Sequence, residues 1–286
     1  MHARIPTEPP RRRAVPTLVA STLTLSMMLA APMAAADDVL VPLPSIPDFT
    51  AGDGWGVALG AGIEYEAAYD GSDEYEFEIE PAGAVQWRTG DHQFFWEGME
   101  LGWRGMLAPR SLLQAGVRYE DGLEPDDSDD GRLDGIAPRD SHTVGFAEYR
   151  HGFGEAWRHW LGARVMGGPS DFGWLGVLAA GHRFGDRADG TGTELFAFVT
   201  LGDADFINKD FGVTAEDSLS SGLPETELDS GYRSTGVTLL HRAHLGERWQ
   251  FVGQAGVEFY SSDIADSPIA QDDYEYELGV SLLYRF

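Results

Sequence analysis

The sequence contains no cysteine, and Lys209 is its only lysine. Without cysteine, the chain has no disulfides, thiolate metal sites or cysteine nucleophiles. Basic charge is scarce as well, with a formal net charge of −27. Nucleic acid is excluded as a partner because its phosphates would be repelled. Beyond the N-terminal segment, no stretch holds about 18 consecutive apolar residues, so we expect no membrane-spanning helix.

Residues 1–36 have the pattern of a cleaved signal peptide. Arg4 and Arg11–Arg13 precede an apolar run of small residues, and three alanines end the segment at 34–36. We expect cleavage after Ala36 and export through the inner membrane. A membrane anchor is the alternative, and the small-residue site before "DDVLVP" argues against it.

Residues 37–53 are rich in proline and show no period, which predicts an extended periplasmic lead.

From residue 54 onward, apolar and polar residues alternate. In "GWGVALGAGIEYEA" (54–67), Trp55 and Tyr65 share the apolar face and Glu64 and Glu66 lie on the other. This period of two predicts β-strands. The predicted strands run to about 10–14 residues, whereas soluble strands usually have about 5–6 and tilted membrane-spanning strands about 9–11. Aromatic residues near the strand ends predict two interfacial girdles.

These strands predict an all-β fold, a closed antiparallel transmembrane β-barrel over residues 54–286. In lipid every backbone group must be paired, so the sheet must close. Eleven strands are recognisable, one of them over 92–106. Because bacterial single-chain barrels have even strand numbers, we expect twelve, with ten as the alternative. The missing strand is expected in 89–111 or 202–231. The short connections 89–91, 107–110, 152–156 and 245–248 predict periplasmic turns, and the acidic segments 121–140, 202–231 and 261–271 predict long extracellular loops.

If the apolar face meets lipid, the charged face points into the lumen. An open lumen of this composition would favour cations. The alternative is a narrow barrel filled by its own side chains and closed by Glu–Arg pairs. The lumen-facing candidates are Glu64, Glu66, Glu76, Glu78, Glu80, Arg88, Arg248, Glu258, Glu275, Glu277 and Arg285.

No motif predicts catalysis, a cofactor or a metal site. "EPDDSDDGRLDG" (124–135) starts like a calcium loop, but Ala137 stands where the bidentate glutamate of an EF-hand is required. Loose divalent-cation binding by the acidic outer loops, bridging to lipopolysaccharide, remains open. The histidines lack zinc-site spacing, and Ser220 and Ser221 lack the context of a nucleophile. A membrane-embedded hydrolase remains a third alternative.

Four segments carry a resemblance to a known family. They are "YDGSDEYEFEIEPAGAVQW" (69–87), "GDHQFFWEGMELGWR" (90–104) with the loop that follows it, "ADFINKDFGVTAEDSLSSGLPETELDSG" (204–231), and "DIADSPI" (263–269) with the final "YRF". Together they resemble the MipA/OmpV family of outer-membrane proteins over residues 55–286. The family-motif residues are Tyr69, Gly71, Ser72, Asp73, Phe211, Gly212, Val213, Thr214, Ser221, Gly222, Leu223 and Pro224.

The resemblance implies an outer-membrane barrel without catalysis or cofactor. For the namesake it implies a scaffold that brings a lytic transglycosylase and a murein synthase together. Reasoning from the residues keeps a narrow cation-preferring pore as the alternative. The last strand, with Tyr284 and Phe286, resembles the signal that the barrel insertion machinery reads. Lipid and lipopolysaccharide are the other expected partners.

Overall fold

The computed structural model describes residues 52–184 and 191–286. The predicted signal peptide and residues 37–51 of the predicted lead lie outside these ranges. The strands are β1 (Gly54–Ala67), β2 (Tyr75–Thr89), β3 (His92–Glu97), β4 (Glu100–Ala108), β5 (Ser111–Glu120), β6 (His142–Phe153), β7 (His159–Gly167), β8 (Trp174–Phe184), β9 (Gly192–Gly202), β10 (Gly231–Leu245), β11 (Trp249–Tyr260) and β12 (Tyr274–Arg285).

Three short helices lie between strands: α1 (Ala204–Phe211) and α2 (Ala215–Ser221) after β9, and α3 (Ser262–Ala265) after β11. Single 3-10 turns occupy Pro125–Asp127 and Glu155–Trp157. Within the described ranges, no helix has the length and hydropathy to cross a membrane.

The twelve strands form one closed antiparallel barrel in which each strand pairs with its neighbour in sequence and β1 pairs with β12. The closing register runs from Ala58 opposite Arg285 to Tyr65 opposite Leu278. Closure leaves no strand edge with unpaired backbone groups. The predicted fold class and the count of twelve are confirmed.

The prediction of one strand over 92–106 is wrong, and this is where the twelfth strand lies. β3 and β4 form a tight hairpin in which Glu97 is opposite Glu100. Gly98 takes φ +53° at the turn, a left-handed conformation that glycine adopts without steric cost. The segment 203–230, the other place considered for a missing strand, holds α1 and α2 instead.

The outer face of the barrel is apolar. Phe77 and Ile79 on β2 are each 75% exposed, while Glu80 next to them is buried. Apolar residues outside and polar residues inside are the arrangement of a membrane barrel.

Aromatic rings cluster at both ends of this outer face. At the end with short turns, the Trp55 and Trp87 rings are 6.5 Å apart and the Trp249 and Tyr284 rings 5.1 Å apart. At the other end, the rings of Tyr75 and Tyr276 stack at 4.2 Å. These clusters correspond to the two interfacial girdles of outer-membrane barrels.

The connections differ sharply between the two ends. One end has the turns 90–91, 109–110 and 246–248, and the other has the long connections 121–141, 203–230 and 261–273. By the usual asymmetry, the short turns are periplasmic and the long loops lie outside the cell. The long loops and residues 68–74 pack together through two apolar clusters, one around Leu133 and Ile269 and one around Phe211 and Ile264. We call these four segments the outer cap.

Candidate functional site: the barrel interior and the outer cap

Buried ion pairs cover the interior face of β3 to β7, which we call the paired wall. Arg118 Nη1 lies 3.7 Å from Glu100 Oε1, and Arg164 Nη1 lies 3.6 Å from Glu148 Oε2. Glu100 also contacts Arg164, and Glu148 also contacts Arg150. Since each of these charges has an opposite charge beside it, the wall can hold them away from water.

Aromatic rings support the arginines of the paired wall. The guanidinium of Arg104 lies 4.1 Å from the ring centre of Phe95, and that of Arg150 lies 4.8 Å from the ring centre of Trp160. Both arginines and Trp160 are only 1% exposed. Side chains that line a water-filled channel are exposed to solvent, and these are not, so this part of the barrel interior is packed rather than open.

The interior face of β1, β2, β11 and β12 carries mainly acidic side chains, and we call it the acidic wall. Glu66, Glu80, Glu258, Glu275 and Glu277 are all buried there. Register places Glu64 opposite Glu78 and Glu66 opposite Glu76, with Glu76 exposed at the outer end. The structure therefore brings the predicted glutamates of β1 and β2 onto one surface.

The three predicted arginines lie at the periplasmic end of the barrel. Arg88 is half-buried at the periplasmic end of β2, opposite Gly54. Arg248 is exposed in the turn before β11, and its Nη1 donates to the Tyr284 hydroxyl at 2.6 Å. Because Tyr284 belongs to the outer face, Arg248 is directed away from the lumen, contrary to the prediction. Arg285 is exposed at the end of β12.

A cavity of about 130 Å³ lies beneath the outer cap, lined by the acidic wall and by residues of β5 and β7 to β9. Its lining includes nine acidic residues but only two cations, Lys209 and Arg233. Burial lowers the pKa of Lys209, but Asp210, which accepts a hydrogen bond from Nζ at 2.5 Å, together with Asp70 and Glu120 outweighs burial, and the pKa is raised. Lys209 is thus charged, and the cavity still has a strong excess of negative charge.

Arg233 joins the barrel to the cap. Its Nη1 donates to Glu258 Oε1 at 2.7 Å and its Nη2 to Asp70 in the first outer loop. Its guanidinium lies 5.6 Å from the ring centre of Phe211 and 5.3 Å from that of Tyr260. One side chain therefore links β10, β11 and two segments of the outer cap.

The family-motif residues come together in the outer cap. The Tyr69 hydroxyl donates to Gln271 Oε1 at 2.5 Å. Gly71 has φ +81° and accepts a hydrogen bond from Gln271 N at 2.7 Å. A Cβ at Gly71 would lie 3.2 Å from both Ala270 and Phe211. Ser72 is fully buried and Asp73 exposed.

The second motif segment forms α2 and its flanks. Thr214 caps α2, and Asp217 accepts hydrogen bonds from Thr214 Oγ1 at 2.7 Å and from Ala137 N at 2.8 Å. Burial raises the pKa of Asp217, but these hydrogen bonds and Arg139 outweigh burial, so the pKa lies below its usual range. Gly222 ends the helix at φ +81°. The Gly212 carbonyl accepts a hydrogen bond from Arg139, and Val213 is buried. The Ser221 hydroxyl donates to Asp217 O, and Leu223 packs against the apolar cluster of the cap. The last motif residue is Pro224, whose carbonyl accepts a hydrogen bond from Thr226 Oγ1.

The arginines of the paired wall are functional candidates that the sequence reasoning missed. A signal was present, since Glu100 and Arg104 lie on one face of β4 and Glu148 and Arg150 on one face of β6. The partners were not readable, because the pairing of Arg164 with Glu100 joins β7 to β4 and depends on barrel curvature.

At the end of β12, Tyr284 and Phe286 lie in the periplasmic girdle with ring centres 5.1 Å apart. Phe286 N donates to Val57 O at 3.0 Å, so the last residue is tied to β1.

A closed twelve-stranded barrel with an apolar, girdled outer face and a charged interior defines an outer-membrane β-barrel. Residues 59–286 match the family model described as MltA-interacting protein MipA, and the chain belongs to that family. The comparison with curated proteins found no match.

Several solved structures show a distant likeness. The translocator domain of the autotransporter NalP from Neisseria meningitidis is 11% identical, with 82% of this chain and 90% of that chain covered and a TM-score of 0.42. An outer membrane channel from Pseudomonas putida F1 is 12% identical, covering 85% and 100%, with a TM-score of 0.41. The Pseudomonas putida toluene transporter TodX is 9% identical, covering 83% and 90%, with a TM-score of 0.41. At this level, no property of these proteins is carried to this chain.

Proposed function

We propose that this chain is a non-enzymatic outer-membrane scaffold that holds a murein hydrolase, together with a murein synthase, at the periplasmic face of the membrane. The family description names an interaction with MltA. The sequence resemblance implies a lytic transglycosylase as that partner. The periplasmic turns are the surface of the described barrel that such partners can reach.

The observation that carries this proposal is the packed paired wall. Arg104, Arg150 and Trp160 are each 1% exposed inside the barrel. Side chains therefore occupy space that a wide diffusion channel would need. A barrel filled in this way supports a role in which its turns present a docking surface.

The serines considered as nucleophiles support a non-enzymatic role. The Ser220 hydroxyl donates to Glu216 O at 3.0 Å, and the Ser221 hydroxyl donates to Asp217 O at 2.7 Å. Both hydroxyls thus bond to the backbone of α2, as serine does at helix ends.

Binding of the purified barrel to a purified lytic transglycosylase tests the scaffold. We expect saturable binding in detergent or nanodiscs. Charge reversal of the exposed turn residues Arg110→Glu and Arg158→Glu should weaken it by about tenfold. The matched controls Glu216→Arg and Glu225→Arg, exposed in the outer cap, should leave it unchanged. No binding by the wild-type barrel, or equal losses in both pairs, would contradict the scaffold.

The acidic wall favours a second candidate, a narrow cation-preferring pore for ions or small solutes. Charged rings lining a lumen select ions of opposite sign. This candidate predicts a cation-selective current that decreases in Glu76→Gln and Glu78→Gln.

A further inference from the structure

We propose that Glu64, Glu66 and Glu80 form a calcium-binding site on the acidic wall, inside the barrel. One carboxylate oxygen of each residue lies within 4.8 Å of the other two. Calcium binds oxygen ligands at about 2.3–2.6 Å, so two ligands of one ion are at most about 5 Å apart. The three carboxylates can therefore bind one ion, with water completing its shell.

The strand register makes room for these carboxylates. Gly62 lies opposite Glu80, and Gly279 lies opposite Glu64. A Cβ at position 279 would approach Glu64 Oε1 to 3.0 Å. Glycine on the neighbouring strand thus leaves space beside Glu64, which an alanine would restrict.

The carboxylate of Glu80 has one oxygen that no described residue contacts by a hydrogen bond. It is 8% exposed, and its Oε1 has no hydrogen-bond partner in the described ranges. Over the same residues, neither Glu64 nor Glu80 forms an ion pair, whereas Glu100 and Glu148 on the paired wall each contact arginines. Burial of a carboxylate is costly unless the group is protonated or has a compensating charge beside it, and a cation bound by all three glutamates supplies that charge.

The cavity gives a cation access to the site and holds water that can remain bound to the ion. Glu66 lines it together with Asp70, Glu275 and Glu277. Its volume of about 130 Å³ exceeds the roughly 10–15 Å³ of cavity volume that one water needs. Calcium fits this site better than magnesium because it accepts irregular shells of 6–8 oxygens, whereas magnesium demands near-octahedral geometry.

Isothermal titration calorimetry with calcium chloride, on the chelator-treated full-length barrel in detergent, tests the site. We expect one saturable site in the wild type. Glu80→Gln and Glu64→Gln should each weaken calcium binding by about tenfold or more, since each removes a charged ligand. Glu76→Gln, exposed on the same face of β2, is the matched control and should bind within about twofold of the wild type.

Heat-modifiable mobility on gels shows that each variant is folded. It also gives a second readout, because calcium should raise the temperature at which the folded form is lost in the wild type and in Glu76→Gln only. Absence of saturable binding, unchanged binding in Glu80→Gln, or equal weakening in the control overturns the site. Binding that survives Glu80→Gln but is lost in Asp126→Asn with Asp130→Asn belongs to the outer cap and overturns it too. The outcome is separate from the scaffold, which is measured by hydrolase binding.

Discussion

At the residue scale, Arg233 connects the barrel to the outer cap through two ion pairs. It is 7% exposed and contacts Glu258, which is 2% exposed. Removing one member of a buried ion pair leaves the other charge without compensation and typically costs about 3–5 kcal/mol. Because Arg233 contacts β11 and the outer cap, its removal should destabilise both parts of the molecule.

We therefore predict that Arg233→Met lowers the free energy of unfolding by about 3–5 kcal/mol. Urea unfolding in lipid vesicles measures this change. Arg110→Met, at an exposed arginine in a periplasmic turn, is the control and should change it by less than about 0.5 kcal/mol. Equal stability of the two variants would show that the Arg233 contacts contribute little.

Asp217 gives the outer cap a pH dependence. Its pKa in the folded protein lies below the ordinary value of 3.8. A lowered folded pKa means that its stabilising contribution is present above pH 3.8 and is lost as the pH falls through the folded pKa. We predict that proteolysis of the α2 segment is slow from pH 7 to about pH 4 and becomes faster below about pH 4. An acid-active protease measures the rate in the low-pH range.

At pH 7, Asp217→Ala should already expose the same segment to proteolysis, because it leaves Ala137 N and Thr214 without their acceptor, at a cost of about 1–3 kcal/mol. Asp229→Ala, at an exposed position of the same loop, should behave like the wild type. Protection of α2 that is identical in both variants would argue against a role for Asp217 in the cap.

At the element scale, the β3–β4 hairpin shows what alternation can and cannot predict. Residues 92–106 alternate on each side of the turn, but the phase shifts there: the exposed Phe94 and Trp96 on β3 are even-numbered, whereas the exposed Leu101 on β4 is odd-numbered. Without that shift the segment resembles one strand. The break depends on Gly98, whose left-handed φ is a property of the folded hairpin. The total strand number followed from the even count of barrels, whereas the position of the extra turn is indicated only by Gly98 and this phase shift.

The same hairpin carries a prediction. Gly98→Val should destabilise the barrel by about 1–2 kcal/mol, because a side chain at φ +53° is sterically strained. No atom lies within 4 Å of a Cβ at Gly98, so crowding adds nothing. Gly56→Ala on β1 is the control, since its nearest contact would be 3.9 Å away and its φ is ordinary. A similar small change in both, measured by urea unfolding, would show that the turn conformation is not strained.

One wall of the interior could be predicted from single strands, and the other could not. The acidic wall was readable, because Glu64, Glu66 and Glu76–Glu80 alternate within single strands. The paired wall required knowledge of strand register and of the barrel curvature that brings Arg164 on β7 to Glu100 on β4. The cap was predicted only as long acidic loops, although Thr214 and Asp217 form a capping box that indicates a helix start.

At the scale of the whole molecule, two surfaces with different chemistry face each other inside one barrel. The paired wall is neutralised by its own arginines and packed with aromatic rings, whereas the acidic wall borders a cavity beneath the cap. This division concentrates packing on one side and negative charge on the other. This division underlies our proposal of a barrel that is closed to bulk diffusion and acts through the surfaces it presents.

Single-channel recording in planar lipid bilayers tests this central claim most directly. The packed interior predicts that the purified full-length barrel inserts, as shown by heat-modifiable mobility in the same preparation, and gives no stepwise ohmic conductance. Reproducible conductance steps that are cation-selective in the wild type and reduced in Glu78→Gln would contradict it and would establish the pore instead.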